Sequence, residues 1–328
     1  MTAARSLDAR LNAALARRKD PLADPKIEAV RLFHGRADGI DNLVVEKWGP
    51  VLIVQLHEGL PGPTPDELRP VMNQWRDRLA ATSVYLKHFV RDRGGTEAQI
   101  RAAHSDPTPW IGEAVAEEIP IRERDLTYLI RPYDGFSVGL FLEHRDNRRR
   151  IAELARGRRV LNAFAYTCGF SVAAARGGAA SVASVDLSRR YLEWGKRNFA
   201  ANALSTDPHR FYCSDYYEFL KRARRQNLRF DLAILDPPTF SRRRRPTAVF
   251  ELRAELPRLV SETIERLDPG GILFLATNDR QLRLDSLEAA IRKAAPHRPC
   301  TVTARPGLPP DFAGDPEYAK SVVARLDS

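Results

Sequence analysis

The chain has 328 residues, which is enough for roughly two domains of the usual size of about 150 residues. A hydrophobic content of 43% and an aromatic content of 8% are ordinary for a globular protein and exclude a disordered or fibrous class. Positive charge dominates, with a formal net charge of +10 and with arginine as 44 of the 52 basic residues. Arginine binds phosphate in a planar, bidentate manner, so the composition favours a nucleic-acid partner, although a GC-rich genome would also enrich arginine.

The sequence shows no targeting, membrane or metal-binding pattern. No run approaches the ~18 apolar residues of a membrane span, and Arg and Asp interrupt the apolar positions of the first 20 residues, unlike a signal peptide. Cys168, Cys213 and Cys300 lie far apart, without CxxC spacing or paired histidines, so neither a disulfide framework nor a zinc site is predicted. We expect a cytoplasmic protein with no membrane and no metal partner.

The first part of the chain predicts a helical arm and then a small α+β domain. Apolar residues at helical spacing indicate an amphipathic N-terminal arm over 1–25. Residues 26–118 alternate β-type runs with glycine-containing turns and form the predicted α+β domain. Its predicted elements are strands over 29–33, 43–46, 51–56 and 83–90, a helix over 66–80 and a polar loop over 91–106.

Residues 119–328 predict a Rossmann-like α/β domain with a mostly parallel sheet. Short apolar runs alternate with helical stretches, as in βαβ units. The predicted strands are 160–163, 181–185, 210–213, 232–235 and 272–276, and the predicted helices are 143–157, 169–177, 189–202, 216–226, 249–267 and 282–295. Two final runs, 300–304 and 319–326, have no helix between them and are expected to pair antiparallel at one edge. Ligands of such sheets lie outside the carboxyl ends of the strands.

The first three loops at that edge carry the residues of an adenosine pocket. Loop 162–171 has one glycine where a dinucleotide-binding loop has three, which argues against a pyrophosphate ligand. Asp186 ends the second strand, where a carboxylate can accept hydrogen bonds from both ribose hydroxyls, and Asp215 with Tyr216 can meet an adenine. The combination fits S-adenosylmethionine better than NAD or ATP. Taken singly, Asp186 has a second explanation as a helix N-cap, Asp215 is explained equally well as an N-cap, and Tyr166 has a second explanation as a packing residue.

The fourth strand ends in a stiff loop, Asp236-Pro237-Pro238-Thr239-Phe240. Two successive prolines fix the backbone and remove donors, so the carbonyl groups stay available as acceptors. A base stacked on the ring of Phe240 would gain about 1–3 kcal/mol. Arg242–Arg245 follow closely. They are either a solvated run of charge or side chains that bind the phosphates on both sides of a flipped base.

Four segments resemble the catalytic half of the class I, S-adenosylmethionine-dependent 23S rRNA methyltransferases of bacteria. They read YDGFSVGLFLEHRDNR, VLNAFAYTCGFSVAAARGGAASVASVDLS, LDPPTFS and GGILFLATNDR. The resemblance covers about 121–328 and points to two relatives, the guanine-N7 half of the fused N2/N7 enzyme and the cytosine-C5 enzyme with a PUA domain. A weaker match over 27–57 resembles the central domain of the latter, and residues 1–26 are not expected to form a PUA-like domain. Cys168 stands where relatives have a second glycine.

The resemblance implies an enzyme that binds S-adenosylmethionine and methylates 23S rRNA or a large-subunit precursor. It implies that loop 162–171 holds the cofactor, that Asp186 meets the ribose and that residues 236–240 receive the target base. The predicted cofactor-binding residues are Phe164, Ala165, Tyr166, Thr167, Gly169, Asp186, Leu187, Ser188, Asp215, Tyr216, Asp236 and Arg145. The predicted catalytic residues are Asp236, Pro237, Pro238, Phe240 and Asn278, and the predicted RNA contacts are Phe240, Arg242, Arg243, Arg244 and Arg245.

The cysteine positions bear on which atom is methylated. Cytosine C5 must first be activated by a thiolate that adds to C6, and neither the 236–240 loop nor the run ATNDR over 276–280 contains a cysteine. Guanine N7 has an exposed lone pair and needs only placement in line with the methyl group. ATNDR resembles the SNNKR of the guanine-N7 relatives, so guanine N7 is expected, with adenine N6 second. A small-molecule or protein methyltransferase, or a non-catalytic RNA-binding module, would share the fold.

Overall fold

A computed structural model describes residues 2–89, 105–135, 137–244, 247–294 and 298–327, except for the side chains of 2–6 and 241–249. The chain divides into two compact units, Met1–Leu142 with Pro309–Asp315, and Glu143–Leu308 with Pro316–Ser328. The division falls at 142, whereas the sequence places a boundary at 118. The reason is a hairpin over 119–130 whose Glu123 forms a β-bridge with Ile27, which holds the hairpin in the first unit.

The first unit is an α+β unit built on a five-stranded sheet of order β1-β2-β3-β4-β5. Its strands are β1 (Ala29–His34), β2 (Leu43–Trp48), β3 (Val51–His57), β4 (Ser83–Phe89) and β5 (Ile111–Gly112), and the hairpin is β6 (Ile119–Glu123) with β7 (Leu126–Ile130). The helices are α1 (Thr2–Arg17), α2 (Lys19–Ala23) and α3 (Pro65–Arg78). The predicted strands and the helix over 66–80 are confirmed, whereas β5, β6 and β7 were not predicted. Most of the predicted loop 91–106 lies outside the described residues.

Two segments from the ends of the chain pack into this unit. Leu11 and Ala14 of α1 are fully buried in its core, so the described part of the predicted arm is packed against the sheet. The segment Pro309–Asp315 also belongs here: the carboxylate of Asp311 accepts from the amide of Arg31 at 2.9 Å. The Arg31 guanidinium lies 4.5 Å from the centre of the Phe312 ring.

The second unit contains a seven-stranded sheet of order β10-β9-β8-β11-β14-β16-β15. Its strands are β8 (Arg159–Ala163), β9 (Ser181–Asp186), β10 (Arg210–Cys213), β11 (Phe230–Leu235), β14 (Leu267–Thr277), β15 (Cys300–Ala304) and β16 (Lys320–Leu326). Its helices are α4 (Arg145–Ala155), α5 (Gly169–Arg176), α6 (Arg189–Ala201), α7 (Tyr216–Arg225), α8 (Leu252–Ile264) and α9 (Leu284–Ala294). The strands β8 to β11 and β14 are parallel, while β16 is antiparallel to both neighbours. This confirms the Rossmann-like fold and the antiparallel edge pair.

Helices cover both faces of this sheet, which explains the continuous apolar runs 232–235 and 272–276 in its central strands β11 and β14. Along β8, Val160 packs with α4 and α5, whereas Leu161 packs with α7, α8 and α9 on the other face. The chain order reverses between β8 and β11, where ligands of such sheets bind. A two-stranded hairpin, β12 (Phe240–Arg244) and β13 (Thr247–Glu251), follows β11 and was not predicted.

Candidate active site

The loop after β8 has an unusual backbone. Phe164, Tyr166 and Cys168 have φ values of 56°, 49° and 62°, in the left-handed region that residues other than glycine rarely adopt. Such strain persists where the surrounding structure enforces it, and it clusters at ligand sites. Here the amide of Ala165 donates to the carbonyl of Val185 at 2.9 Å, and the amide of Cys168 donates to the carbonyl of Ala165 at 2.7 Å. The loop is therefore held in a fixed shape at the switch point of the sheet.

Helix α6 supports this loop from beneath. A Cβ atom on Gly195 would lie 2.4 Å from Sγ of Cys168, so only glycine allows the helix to approach this closely. Asn198, also on α6, donates to the carbonyl of Thr167 at 2.9 Å. Burial raises the pKa of the Cys168 thiol to about 12, so this thiol stays protonated and serves as packing.

Asp186 connects the first two loops of the site. Its Oδ2 accepts from the amide of Tyr166 at 2.8 Å, and its Oδ1 accepts from the amide of Ser188 at 2.8 Å. Burial raises the pKa of this carboxyl to about 6, although both hydrogen bonds oppose that shift. Each carboxylate oxygen can accept a further hydrogen bond. The N-cap of α6 is Ser188, which accepts from Tyr191, so Asp186 is not the cap residue.

The residues predicted to meet adenine differ in their surroundings. Leu187, directly after Asp186, is 47% exposed and offers an apolar surface at this edge. Asp215 is the N-cap of α7, where its Oδ1 accepts from the amides of Tyr217 and Glu218 at 3.0 and 3.2 Å. Asp215 therefore caps α7, as one of its two sequence-based explanations predicted.

Tyr216 is placed in the core of the unit. Its side chain is 4% exposed, and its hydroxyl lies 2.9 Å from Oγ1 of Thr263. The ring of Phe164 packs between Tyr216 and Phe250, at 5.3 and 5.7 Å between ring centres. The prediction that the Tyr216 ring faces adenine is thus not supported, because the neighbouring apolar side chains enclose it.

The predicted base loop Asp236–Phe240 follows β11, beside the loop after β8. Pro237 is buried and Pro238 is exposed. The Phe240 ring is 50% exposed, as a stacking surface must be. The hydroxyl of Thr239 donates to Oδ1 of Asn278 at 3.2 Å, which brings the loops after β11 and β14 together.

Three predicted RNA contacts, Arg242, Arg243 and Arg244, lie on strand β12, directly after the base loop. Their side chains, and all of Arg245, lie outside the described residues. The β12–β13 ladder pairs Phe240 with Glu251, so the hairpin starts at the base loop and returns to it. The arginine run therefore adjoins the predicted base site along the chain.

Sequence reasoning missed His144, which precedes Arg145 at the start of α4. His144 is 4% exposed, and its Nε2 lies 3.2 Å from Oδ2 of Asp236. Burial lowers the pKa of this imidazole, but the Asp236 carboxylate, by charge and hydrogen bond, and Glu143 together raise it above its ordinary value. The one sequence feature that could have indicated His144 is its position in the run EHRDN over 143–147. In that run only Arg145 was predicted as a site residue. Arg145 is 2% exposed.

The described residues contain no group of three or more His, Cys, Asp or Glu side chains able to hold a metal ion. Within the same parts of the chain, no helix is both long enough and apolar enough to cross a membrane.

Comparison with known proteins shows which proteins this chain is similar to. Residues 30–325 match the family model for S-adenosylmethionine-dependent methyltransferases. A Deinococcus radiodurans protein named ribosomal RNA large subunit methyltransferase is 34% identical over 97% of the chain and 78% of its own length. The ribosomal RNA large subunit methyltransferase K of Neisseria meningitidis is 41% identical over 52% of the chain and 48% of its own length. The K/L protein of Pseudomonas fluorescens is 40% identical over 62% of the chain and 26% of its own length.

Solved structures agree on the fold. The structure of SMU.776 in complex with SAH superposes with a TM-score of 0.86 at 25% identity, over 98% of this chain and 81% of that one. An S-adenosylmethionine-dependent methyltransferase from Agrobacterium tumefaciens superposes with a TM-score of 0.66 at 22% identity, over 92% of this chain and 90% of that one. The chain spans most of both proteins, but only about half and a quarter of the curated relatives from Neisseria and Pseudomonas.

Proposed function

The chain belongs to the family of S-adenosylmethionine-dependent methyltransferases, and from this premise we propose that it methylates large-subunit ribosomal RNA. One observation carries the proposal: a relative named for that activity is similar over 97% of the chain and 78% of its own length. The formal net charge of +10 supports a polyanionic substrate.

S-adenosylmethionine is the cofactor, and the geometry supports the predicted cofactor edge. When bound, it supplies an activated methyl group on a sulfonium. The Asp186 carboxylate, which already accepts from Tyr166 and Ser188, keeps acceptor capacity for two ribose hydroxyls. The strained loop 164–168 gives close backbone approach, and the exposed side chain of Leu187 gives an apolar face for the adenine. In this arrangement Asp215 contacts the adenine while it caps α7. Tyr216 contacts the cofactor only through its main-chain atoms, because its side chain is buried.

We place the target base on the loop Asp236–Phe240, with guanine N7 as the acceptor atom. The Phe240 ring stacks on the base, while Asp236 and Asn278 hold its edge. Guanine N7 needs no proton removed and no covalent intermediate, so correct placement supplies most of the catalysis. The cysteine positions support this choice, because Cys168 is a buried, protonated packing residue and Cys213 donates to the carbonyl of Leu187 at 3.4 Å. Adenine N6 is the second candidate, since a carbonyl acceptor in such a loop could hold its amine.

We test the function by methyl transfer from labelled S-adenosylmethionine to three acceptors: large-subunit rRNA from a strain that lacks the gene, free nucleosides and total protein. Digestion of the rRNA and mass spectrometry of the nucleosides then identifies the methylated atom. We expect label in rRNA alone, recovered as 7-methylguanosine. Label in protein would overturn the RNA substrate, and label in 5-methylcytidine would overturn the argument from the missing thiolate.

A further inference from the structure

His144 is held at both ring nitrogens, and one of its partners is the first residue of the base loop. Nε2 lies 3.2 Å from Oδ2 of Asp236, and Nδ1 lies 3.1 Å from Nδ2 of Asn147 on α4. Nδ2 of Asn147 also donates to Oγ of Ser321 on β16 at 3.1 Å. Phe170 of α5 closes another side, at 5.3 Å between ring centres. The imidazole is thus fixed against α4, α5, β16 and the base loop at once.

Asn147 can satisfy either charge state of the ring. With a neutral imidazole, Nδ1 accepts from the Asn147 amide, and Oδ1 of Asn147 then has no hydrogen-bond partner among the described residues. With an imidazolium, both ring nitrogens donate. An Asn147 amide turned by about 180° would place Oδ1 where it accepts from Nδ1 and from the Ser321 hydroxyl, since the two amide orientations have nearly the same shape. The turned amide gives Oδ1 two donors and moves Nδ2 to the position that has no partner, so Asn147 accommodates either charge state of the ring.

The charges around the ring favour the imidazolium. Asp236, from the base loop, and Glu143, which precedes His144, are negative, while Arg148 of α4 opposes them. Phe170 and Ser321, from α5 and β16, are uncharged. The side chain of Asp236 is 24% exposed. Among the described residues, it forms an ion pair with His144.

We propose that His144, as an imidazolium, is a positioning residue that fixes the Asp236 carboxylate and thereby the orientation of the base loop. With Oδ2 engaged by His144, Oδ1 is the oxygen left to accept a hydrogen bond from the base. The inference that this orientation serves methyl transfer to RNA rests on the proposed function. The ion pair and its effect on the loop do not.

The pair has a defined pH dependence. The raised pKa of His144 means that the pair is complete below the ordinary histidine pKa of about 6.5 and is lost as the pH rises through the higher value in the folded chain. Methyl transfer should therefore decline on the alkaline side. The decline should disappear in His144→Gln, which keeps an N–H donor but does not titrate.

Two measurements test the pair without any RNA. In the full chain with ¹³C-labelled histidine, assigned by His144→Gln, we expect the pKa of His144 to lie above its ordinary value of about 6.5 and to be lower in Asp236→Asn. Amide hydrogen exchange at Thr239 and Phe240 should rise about tenfold in His144→Ala and little in His144→Gln. His209→Gln, which alters another buried histidine of the same unit, should leave that exchange unchanged.

A third measurement tests the role in catalysis. His144→Ala should lower kcat on rRNA about 10–100-fold, with KM for S-adenosylmethionine within about twofold, and His144→Gln should restore part of the activity. An unchanged His144 titration in Asp236→Asn, or unchanged exchange at Thr239 and Phe240 in His144→Ala, overturns the proposal. If the wild type methylates no RNA, the proposed function fails while the first two measurements still decide the positioning role.

Discussion

The main-chain amide of Tyr166 donates to Oδ2 of Asp186 over 2.8 Å, which joins the loop after β8 to the end of β9. Tyr166 has a left-handed φ of 49°, and this hydrogen bond helps to hold it there. A single carboxylate therefore both shapes the cofactor loop and presents acceptors to the proposed ribose. Removal of that carboxylate should affect binding and loop order together.

Replacing Asp186 should weaken cofactor binding strongly. Hydrogen bonds to a charged group contribute about 1.5–3 kcal/mol, so Asp186→Asn should reduce the affinity for S-adenosylhomocysteine about 10–100-fold in titration calorimetry. Asp207→Asn, at a side chain that is 84% exposed, serves as the control. An unchanged Kd in Asp186→Asn would remove this residue from the cofactor site.

The raised pKa of Asp186 predicts two opposite responses to acid. The ribose hydroxyls need the ionised carboxylate, so Kd for S-adenosylhomocysteine should rise as the pH falls through about 6, by up to about tenfold per unit. Without ligand, the folded chain binds this proton more tightly than the unfolded chain, whose Asp pKa is about 3.9, so Asp186 adds stability as the pH falls from 6 towards 4. Titration calorimetry and denaturant unfolding at several pH values check both signs. In Asp186→Asn both pH dependences should flatten, and an affinity that rises in acid would contradict the assignment.

Gly195→Ala should destabilise the chain, because the added methyl group would lie 2.4 Å from Sγ of Cys168. Overpacking of a buried side chain costs about 1–3 kcal/mol, measurable by denaturant unfolding. Gly307→Ala, where the added methyl group meets nothing within 4 Å, is the matched control. Combining Gly195→Ala with Cys168→Gly should recover part of the stability, since the second change removes the sulfur and suits a left-handed φ of 62°. Strictly additive effects would show that the two residues do not compete for space.

Replacing Arg242–Arg245 by glutamine should raise KM for RNA and leave cofactor affinity unchanged. For every phosphate that the variant no longer neutralises, the slope of log affinity against log salt should fall by about 0.7–0.9. Filter binding across a salt series measures that slope. Arg210→Gln, at a side chain that is 63% exposed, is a control for the loss of one positive charge outside the arginine run, and each single Arg→Gln change within 242–245 is compared with it. The same slope in both variants would leave the run as a solvated surface.

Phe240→Ala should impair use of RNA without affecting the cofactor. Base stacking on an aromatic ring is worth about 1–3 kcal/mol, so kcat/KM for RNA should fall between about fivefold and 150-fold. Phe240→Trp should keep most of the activity, and Leu60→Ala, at another exposed apolar side chain, should keep all of it. Equal activity in Phe240→Ala and the wild type would place the base elsewhere.

The apolar periodicity of the sequence was sufficient to predict the second unit, because each strand of a covered parallel sheet is a short apolar run between helices. It could not predict the β12–β13 hairpin, since an arginine run has no such periodicity. The partnership of His144 with Asp236 and the enclosure of Tyr216 also escaped prediction. Both depend on contacts between residues far apart in the chain, which a single sequence does not display.

The location of the unit boundary escaped prediction for a related reason. The local sequence of the β6–β7 hairpin, which starts at Ile119, does not indicate whether the hairpin belongs to the unit before it or to the unit after it. Its assignment depends on the bridge between Glu123 and Ile27, which pairs it with the beginning of the chain.

The return of Pro309–Asp315 to the first unit constrains how the gene can be divided. A fragment that begins at residue 143 would carry Asp311 and Phe312 without Arg31, and a fragment that ends at residue 142 would leave Arg31 without both. Recombination at a single breakpoint therefore cannot exchange either unit intact. A swap between homologues would have to carry the short return segment along with the N-terminal part.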